Sequence, residues 1–124
     1  MSPTNPAKLV DESCVPSRAD STRVTGDTLA ELLGLLDGWQ VTTHDEIERL
    51  VRRFRFSNFA EALAFTNAIG TIAEAEDHHP ALLTEWGRVE VALWTHVIGG
   101  LHRNDFVMAA KCERAYAETL SPEP

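Results

Sequence analysis

The chain has no apolar run that approaches the roughly twenty residues needed to cross a bilayer. Its N-terminus also lacks the basic and then apolar layout that is typical of a secretory signal peptide. We therefore predict a cytoplasmic protein that has no membrane partner.

Basic residues and cysteines are scarce as well. Eleven Lys and Arg residues stand against nineteen Asp and Glu residues, which gives a formal net charge of −8. A surface with this balance repels nucleic acid and anionic membranes, so we expect neither as a partner. The two cysteines, Cys14 and Cys112, have no partner at the spacing of a metal motif. We interpret both as free thiols, with Cys112 filling the core.

The length of 124 residues and the apolar share of 44% indicate one domain with one core. Residues 1–24 are rich in Pro, Ser, Thr and Asp and poor in apolar side chains, which predicts a flexible N-terminal tail. The alternative is that this stretch lies against the domain or a partner, with Cys14 as a binding residue. We place the single domain at residues 25–120.

Helical spacing of apolar residues predicts three helices in this domain. The first begins at Asp27 as N-cap and is closed by Gly38. The second is long, begins with a capping box of Asn58 and Glu61, and runs into a histidine-rich segment. The third follows the glycine pair at 99–100 and is capped by Asn104 or Asp105.

Alternation of apolar and polar residues predicts four strands, at about residues 39–43, 47–56, 82–86 and 89–96. The first two are joined by a turn at His44 and Asp45, and His96 ends the fourth. The resulting order α-β-β-α-β-β-α is typical of an α+β domain. We expect a four-stranded antiparallel sheet with the helices packed on one face.

Three of the five histidines lie close together in the chain, with carboxylates around them. His78 and His79 precede Pro80, and His96 follows at close range. Pro80 ends the preceding helix and biases His79 toward extended geometry, so the two histidines lie at a helix-to-strand junction. Histidine exchanges protons near neutral pH, which suits proton transfer. Imidazole and carboxylate groups also bind zinc and iron, so the residue types alone allow both uses.

The spacing of this cluster resembles the motif of the pterin-4a-carbinolamine dehydratase family. That motif is an acid, three residues, His-His-Pro, five residues, an aromatic, nine residues, His and then Asp. The matching positions are Glu74, His78, His79, Pro80, Trp86, His96 and Asp105. The likeness extends over about residues 27–117 and is greatest to the bacterial branch that serves phenylalanine hydroxylase.

The resemblance implies an enzyme, a hydro-lyase of the 4a-hydroxytetrahydrobiopterin dehydratase type. An aromatic amino-acid hydroxylase leaves its pterin with a hydroxyl group at carbon 4a, and this carbinolamine loses water to give quinonoid dihydropterin. The dehydration requires an acid and a base but no metal and no cofactor. The implied partners are the small-molecule pterin substrate, phenylalanine hydroxylase as a functional link, and further copies of the chain in a homodimer or homotetramer.

By matching positions, the resemblance implies that His78, His79 and His96 are the catalytic acid, base and orienting groups, in an order that stays open. It further implies a set of residues that bind the substrate or orient the imidazoles: Glu74, Asp77, Trp94, Thr95 and Asp105. Three of them have a structural alternative. Glu74 is also explained as a solvated helix residue, Asp105 as a helix cap and Trp94 as a core or interface aromatic. We interpret His44 and His102 as ordinary surface or core histidines.

Two functions of other classes remain as alternatives. A metal-dependent hydrolase is disfavoured because His78 and His79 are adjacent and lack the i, i+4 placement of a zinc-binding helix. A dimerisation or regulatory module, like the animal relatives that act as transcriptional cofactors, has no need for three histidines.

Overall fold

The computed structural model describes residues 6–120. Its elements are α1 (Pro6–Asp11), α2 (Gly26–Gly34), β1 (Gln40–His44), β2 (Ile47–Arg55), α3 (Phe59–Glu76), β3 (Ala81–Glu85), β4 (Arg88–Leu93), a 3₁₀ turn (His96–Ile98) and α4 (Arg103–Leu120). From α2 onward, helices and strands follow the predicted order, and the α+β prediction is confirmed. No helix in this part of the chain is long and apolar enough to cross a membrane.

The four strands form one antiparallel sheet in the order β1-β2-β4-β3. Two hairpins therefore meet at the central pair β2 and β4, where Leu50 lies opposite Leu93. The turn of the first hairpin is Asp45 and Glu46, both with positive φ angles of 52° and 66°. Because two such residues match the twist of the flanking strands, the turn closes tightly. It begins one residue later than predicted, since His44 still pairs with Ile47.

The core lies between the sheet and the helices α3 and α4. Alternate residues of β4, Val89, Val91 and Leu93, are fully buried beneath the helices. The helices contribute a complementary set of buried apolar side chains, which includes Ala62, Phe65, Ile69, Ala73, Phe106, Ala109 and Cys112. On the opposite face of the sheet, Arg53 and Glu90 form a partly exposed ion pair at 2.9 Å. The helices thus cover one face, as the alternation in β4 predicts.

Helix α3 has the predicted start and ends where its sequence requires. The Asn58 side chain accepts a hydrogen bond from the Glu61 amide at 2.8 Å, and the Glu61 carboxylate accepts one from the Ser57 amide at 2.9 Å. The first bond satisfies an amide that the first helical turn leaves unpaired, and the second fixes the residue before the N-cap. At the other end Asp77 adopts the left-handed conformation, with φ 52° and ψ 42°. Pro80 prevents continuation because it has no amide proton.

Helix α2 differs from its prediction at both ends. Thr25, with extended φ and ψ angles of −143° and 170°, precedes the helix, and Asp27 lies within its first turn. Asp27 therefore stabilises the helix through its charge near the amino end and is not the N-cap. The helix ends at Gly34 with Leu35 as C-cap, and Gly38, at φ 86°, lies in the following turn.

Strand β4 ends earlier than predicted, at Leu93. Thr95 then forms an isolated bridge with Gly100, and its amide donates to the Gly100 carbonyl at 2.8 Å. Gly99 has a φ of 59°, which allows the chain to reverse within a few residues. The prediction that His96 ends the strand is therefore wrong: His96 opens the 3₁₀ turn of this loop.

Residues 6–24 lie against the domain, which differs from the flexible tail predicted for residues 1–24. Helix α1 contacts α4, and Leu9 is fully buried there. Val24 is buried at the other end of the segment, and its amide donates to the Leu101 carbonyl at 2.8 Å. Two apolar anchors hold the segment, although its average composition is polar. The first five residues of the predicted tail lie outside the described part of the chain.

Candidate active site

The junction between α3 and β3 positions the first two site histidines. The left-handed Asp77 ends α3, and the amide of His78 donates to the Ala73 carbonyl at 3.2 Å, which fixes the backbone beyond the helix. The His78 side chain turns inward, is nearly buried, and places Nε2 2.7 Å from Oδ1 of Asp105. His79, the next residue, is exposed.

Asp105, in the first turn of α4, is fully buried. Its Oδ2 accepts hydrogen bonds from the Thr95 hydroxyl and from the His102 amide, both at 2.9 Å. With His78 as a third donor, the buried carboxylate has the partners that its desolvation requires. Since a carboxylate only accepts, Nε2 of His78 carries the shared proton. Nδ1 is then the nitrogen that can exchange a proton with a substrate.

His79 forms a second pair of imidazole and carboxylate, with Glu74 of α3. Its Nε2 contacts Oε2 of Glu74, and both side chains are more than half exposed. Solvent screens an exposed pair, so its geometry is held less firmly than that of His78 and Asp105. The site therefore combines one buried, fixed imidazole with one that is open to water.

His96 reaches the site from the loop after β4. Its ring lies 4.9 Å from that of Trp94, centroid to centroid, and the Arg49 guanidinium lies 4.1 Å from the Trp94 ring centroid. This cation–π contact holds the Trp94 ring in place. The loop itself is held by Arg23, whose guanidinium donates to the Ile98 carbonyl.

A cavity of about 360 Å³ lies between these segments. Its wall is formed by Pro16, Ser17, Asp77, His78, His79, Trp94, Thr95, His96 and Val97. The volume falls in the usual range for small-molecule sites, about 300–1,000 Å³. Six of the eight site residues that the resemblance implies thus surround one space. Glu74 and Asp105 lie outside this wall, and each binds a histidine that forms part of it.

Three residues of the wall were not expected from the sequence. Val97 follows His96 in the 3₁₀ turn, and Pro16 and Ser17 belong to the segment predicted as a tail. No pattern in the sequence marks the last two as site residues. Their position depends on contacts with α4, which is almost ninety residues away in the chain.

The two remaining histidines do not line this cavity. His102 precedes α4, and its Nδ1 accepts a hydrogen bond from the Asn104 amide at 3.0 Å. Burial lowers the pKa of His102, an effect that the nearby Asp105 carboxylate opposes. His44 is exposed at the far hairpin, beside Asp45. It borders a wider hollow of about 670 Å³ on the uncovered face of the sheet, which contains none of the three site histidines.

Metal ligation was the second use considered for the histidine cluster. Within residues 6–120, no three His, Cys, Asp or Glu side chains are arranged to hold a metal ion. Nε2 of both His78 and His79 already faces a carboxylate.

Comparison with known sequences identifies the family. The profile described as pterin 4 alpha carbinolamine dehydratase matches residues 22–115. The chain belongs to this family. The resemblance inferred from the motif is therefore confirmed, and the matched range contains the three site histidines and both of their carboxylate partners.

Relatives in the family are similar over almost their full length. A protein of Gloeobacter violaceus is 50% identical over 110 residues, which cover 89% of this chain and 95% of the relative. One of Saccharophagus degradans is 48% identical over 108 residues, with 87% and 96% covered. One of Microcystis aeruginosa is 44% identical over 111 residues, with 90% and 96% covered. All three carry the provisional name pterin-4-alpha-carbinolamine dehydratase.

A solved structure agrees with the fold of this family member. It is the crystal structure of a transcriptional coactivator/pterin dehydratase from Brucella melitensis. The two chains are 36% identical and superpose with a TM-score of 0.69, over 76% of this chain and 98% of the Brucella chain. The α+β architecture is thus shared with a structure whose description names both an enzymatic and a regulatory role.

Proposed function

We propose that this chain is a hydro-lyase that removes water from pterin-4a-carbinolamine and releases quinonoid dihydropterin. One observation carries the proposal: three imidazoles, two of them paired with carboxylates, border a single cavity of about 360 Å³. A cavity of this volume can hold a bicyclic heterocycle. The names of the relatives specify this substrate.

The reaction requires two proton transfers. The bond between carbon 4a and the hydroxyl oxygen breaks, and the leaving hydroxide takes a proton from an acid to become water. The neighbouring ring nitrogen gives its proton to a base, and its electron pair forms the new double bond to carbon 4a. Positioned histidines accelerate such transfers by about 10²–10⁴-fold each.

The geometry supports different roles for the histidines. His78 is held by Asp105, so its Nδ1 has a free electron pair in the neutral imidazole and is suited to accept the proton of the ring nitrogen. His79 and His96 are exposed and can be reprotonated from water. One of these two delivers the proton to the leaving hydroxide, and the other orients the substrate.

We further propose that the catalysis needs no metal ion and no cofactor. Nε2 of both His78 and His79 is engaged by a carboxylate, which leaves each histidine one nitrogen for proton exchange. Acid–base catalysis uses that nitrogen without any further group. The pterin is the substrate, and the proposed biological role is recycling of the pterin of an aromatic amino-acid hydroxylase, such as phenylalanine hydroxylase, in the cytoplasm.

The decisive experiment measures carbinolamine loss by ultraviolet absorbance in a coupled phenylalanine hydroxylase reaction, in chelator-treated buffer. We expect the wild type to accelerate the loss, and His79→Ala and His96→Ala to reduce kcat by about 10²-fold or more. His44→Ala, which removes an exposed histidine outside the cavity, is the matched control and should retain full activity. A wild type that does not exceed the uncatalysed rate would refute the proposal.

A second candidate function is a dimerisation or regulatory module, favoured by the coactivator role named for the Brucella structure. Four large apolar side chains are exposed on α3 and on the β3 hairpin: Phe59, Leu63, Leu83 and Trp86. These side chains support the expectation of a homodimer or homotetramer. Sedimentation velocity gives the number of copies. A complex with a protein partner that survives the double substitution of His78 and His79 would favour the regulatory role.

A further inference from the structure

Residues 12–17, here named the strap, run past the first turn of α4 to the rim of the cavity. At the start of the strap, the Glu12 carboxylate binds the Arg103 guanidinium through two hydrogen bonds, of 2.8 and 2.6 Å. At its end, Pro16 and Ser17 form part of the cavity wall. The strap therefore connects a helix terminus to the site.

Asn104 fastens the middle of the strap. Its amide group is almost fully buried and pairs with the backbone of Val15 in both directions. Oδ1 accepts from the Val15 amide at 3.0 Å, and Nδ2 donates to the Val15 carbonyl at 2.7 Å. A side-chain amide that meets both polar groups of one residue fixes that residue as a neighbouring strand would.

A further bond ties the strap to α3. The amide of Cys14 donates to the Glu76 carboxylate at 2.7 Å. Glu76 lies two residues before His78, and Asn104 lies directly before Asp105. The strap is thus attached beside each member of the buried imidazole–carboxylate pair.

Ser17 forms part of the cavity wall and carries a hydroxyl group. The Asn104 Nδ2 group lies 3.4 Å from the Ser17 oxygen and is placed to donate to it. The hydroxyl hydrogen of Ser17 is therefore available to an acceptor in the cavity. A pterin ring has several acceptors, because its ring nitrogens and its carbonyl oxygen carry lone pairs.

We propose that the strap is a fixed wall of the substrate site, in which Ser17 donates a hydrogen bond to the pterin. Asn104 is a positioning residue that acts through the strap and does not touch the substrate. This inference rests on the proposed function, because it takes a pterin as the ligand. It adds to the site a segment that lies far in sequence from the residues of the histidine motif.

The direct test compares Ser17→Ala with Ser13→Ala, which removes an exposed hydroxyl of the same strap away from the wall. Loss of one neutral hydrogen bond should raise KM about three- to tenfold, with kcat within about twofold of the wild type. The Kd of tetrahydropterin, the substrate without its 4a-hydroxyl group, should rise by the same factor in a tryptophan fluorescence titration. Ser13→Ala should match the wild type.

The outcomes separate this inference from the proposed function. A wild type that dehydrates the substrate and binds tetrahydropterin, with Ser17→Ala equal to it in KM and Kd, overturns the inference alone. A wild type that neither dehydrates the substrate nor binds tetrahydropterin overturns the proposed function and this inference together.

A second test concerns Asn104. Asn104→Ala should speed hydrogen exchange at the Cys14 and Val15 amides and raise KM about three- to tenfold, with little change in kcat. A lower Tm with an unchanged KM would instead indicate a purely structural residue and contradict the positioning role. Glu76→Ala removes the bond to Cys14 from a partly exposed side chain. If Asn104→Ala does not fold, Glu76→Ala takes its place, and the same KM and hydrogen-exchange measurements are made on it.

Discussion

Nε2 of His78 and Oδ1 of Asp105 lie 2.7 Å apart, although 27 residues separate them in the chain. His78 follows the end of α3 and Asp105 lies in the first turn of α4, so the contact ties the end of one 18-residue helix to the start of another. Thr95 and the His102 amide donate to the other carboxylate oxygen. Because three donors surround Asp105, neither it nor His78 can rotate without losing a buried hydrogen bond.

The first prediction concerns the charge of Asp105. Asp105→Asn retains the shape of the side chain. If its carbonyl oxygen keeps the bonds from Thr95 and the His102 amide, its NH₂ group faces His78. That arrangement favours the imidazole tautomer with the lone pair on Nε2, which moves the proton to Nδ1. We expect kcat to fall about 10²-fold or more with a smaller change in KM.

Stability measurements separate this effect from unfolding. Urea denaturation of Asp105→Asn should show a loss of about 1–3 kcal/mol in the free energy of unfolding, which leaves the protein folded at assay temperature. Asp27→Asn, in the first turn of α2, is the control for loss of one exposed carboxylate and should retain its activity. An Asp105→Asn kcat within about threefold of the wild type would show that the tautomer of His78 is unimportant.

The second prediction concerns the exposed pair of Glu74 and His79. Glu74→Gln removes the negative charge next to the imidazole, and solvent already screens that charge. We expect kcat to fall about three- to tenfold and the free energy of unfolding to change by less than about 0.5 kcal/mol. Glu118→Gln, on the exposed face of α4, is the matched control for both measurements. A loss as large as that of Asp105→Asn would mean that Glu74 has a direct role in proton transfer.

The sequence predicts correctly those parts of the fold that depend on residues close together in the chain. Asn58 and Glu61 lie within one helical turn, and Pro80 lacks an amide proton wherever it occurs. The alternation of Val89 and Val91 likewise follows from the two-residue period of a strand. The junction that carries His78 is therefore set by its immediate neighbours, and the sequence places it correctly.

Other features depend on distant contacts, which a single sequence does not reveal. The short β4 and the turn at His96 result from the bridge between Thr95 and Gly100. Phe59 and Leu63 fit the apolar stripe of α3, yet they are 44% and 43% exposed. A stripe shows only which residues share a face and does not distinguish the core from an open surface.

The strap is the largest difference between prediction and structure. None of residues 12–17 is fully buried, and the apolar anchors Leu9 and Val24 lie on either side of the strap. The remaining contacts are hydrogen bonds from residues such as Asn104 to the strap backbone, and backbone groups are the same in every sequence. Composition therefore contains no signal that these contacts form.

The third prediction concerns the thiol of Cys14. Burial raises the pKa of Cys14 to about 12, and the Glu76 carboxylate acts in the same direction. Since only the thiolate reacts, native Cys14 should react with iodoacetamide near pH 8 about a thousandfold more slowly than in urea. Peptide mass spectrometry separates its rate from that of Cys112, whose pKa burial also raises. Equal rates in native and denatured protein would show that the strap is open in solution.

The last prediction concerns pH and the His102 cap of α4. The ring accepts a hydrogen bond from the Asn104 amide through Nδ1, which requires the neutral imidazole. Burial lowers the pKa of His102 from its ordinary 6.5, the Asp105 carboxylate opposes this change, and the charge of His78 adds to it. The folded protein therefore binds a proton at His102 less readily than the unfolded chain does. The stability that His102 contributes is complete above pH 6.5 and is lost as the pH falls through the lowered pKa.

His102→Asn tests this pH dependence, because asparagine keeps a capping oxygen at the start of α4 but does not titrate. The free energy of unfolding, measured with urea at several values between about pH 7 and 5, should decrease less in the variant than in the wild type. His44→Asn removes an exposed histidine and should follow the wild type. Parallel curves for His102→Asn and the wild type would contradict the prediction. They would mean that protonation of His102 does not lower the stability, because the Asn104 amide finds another acceptor.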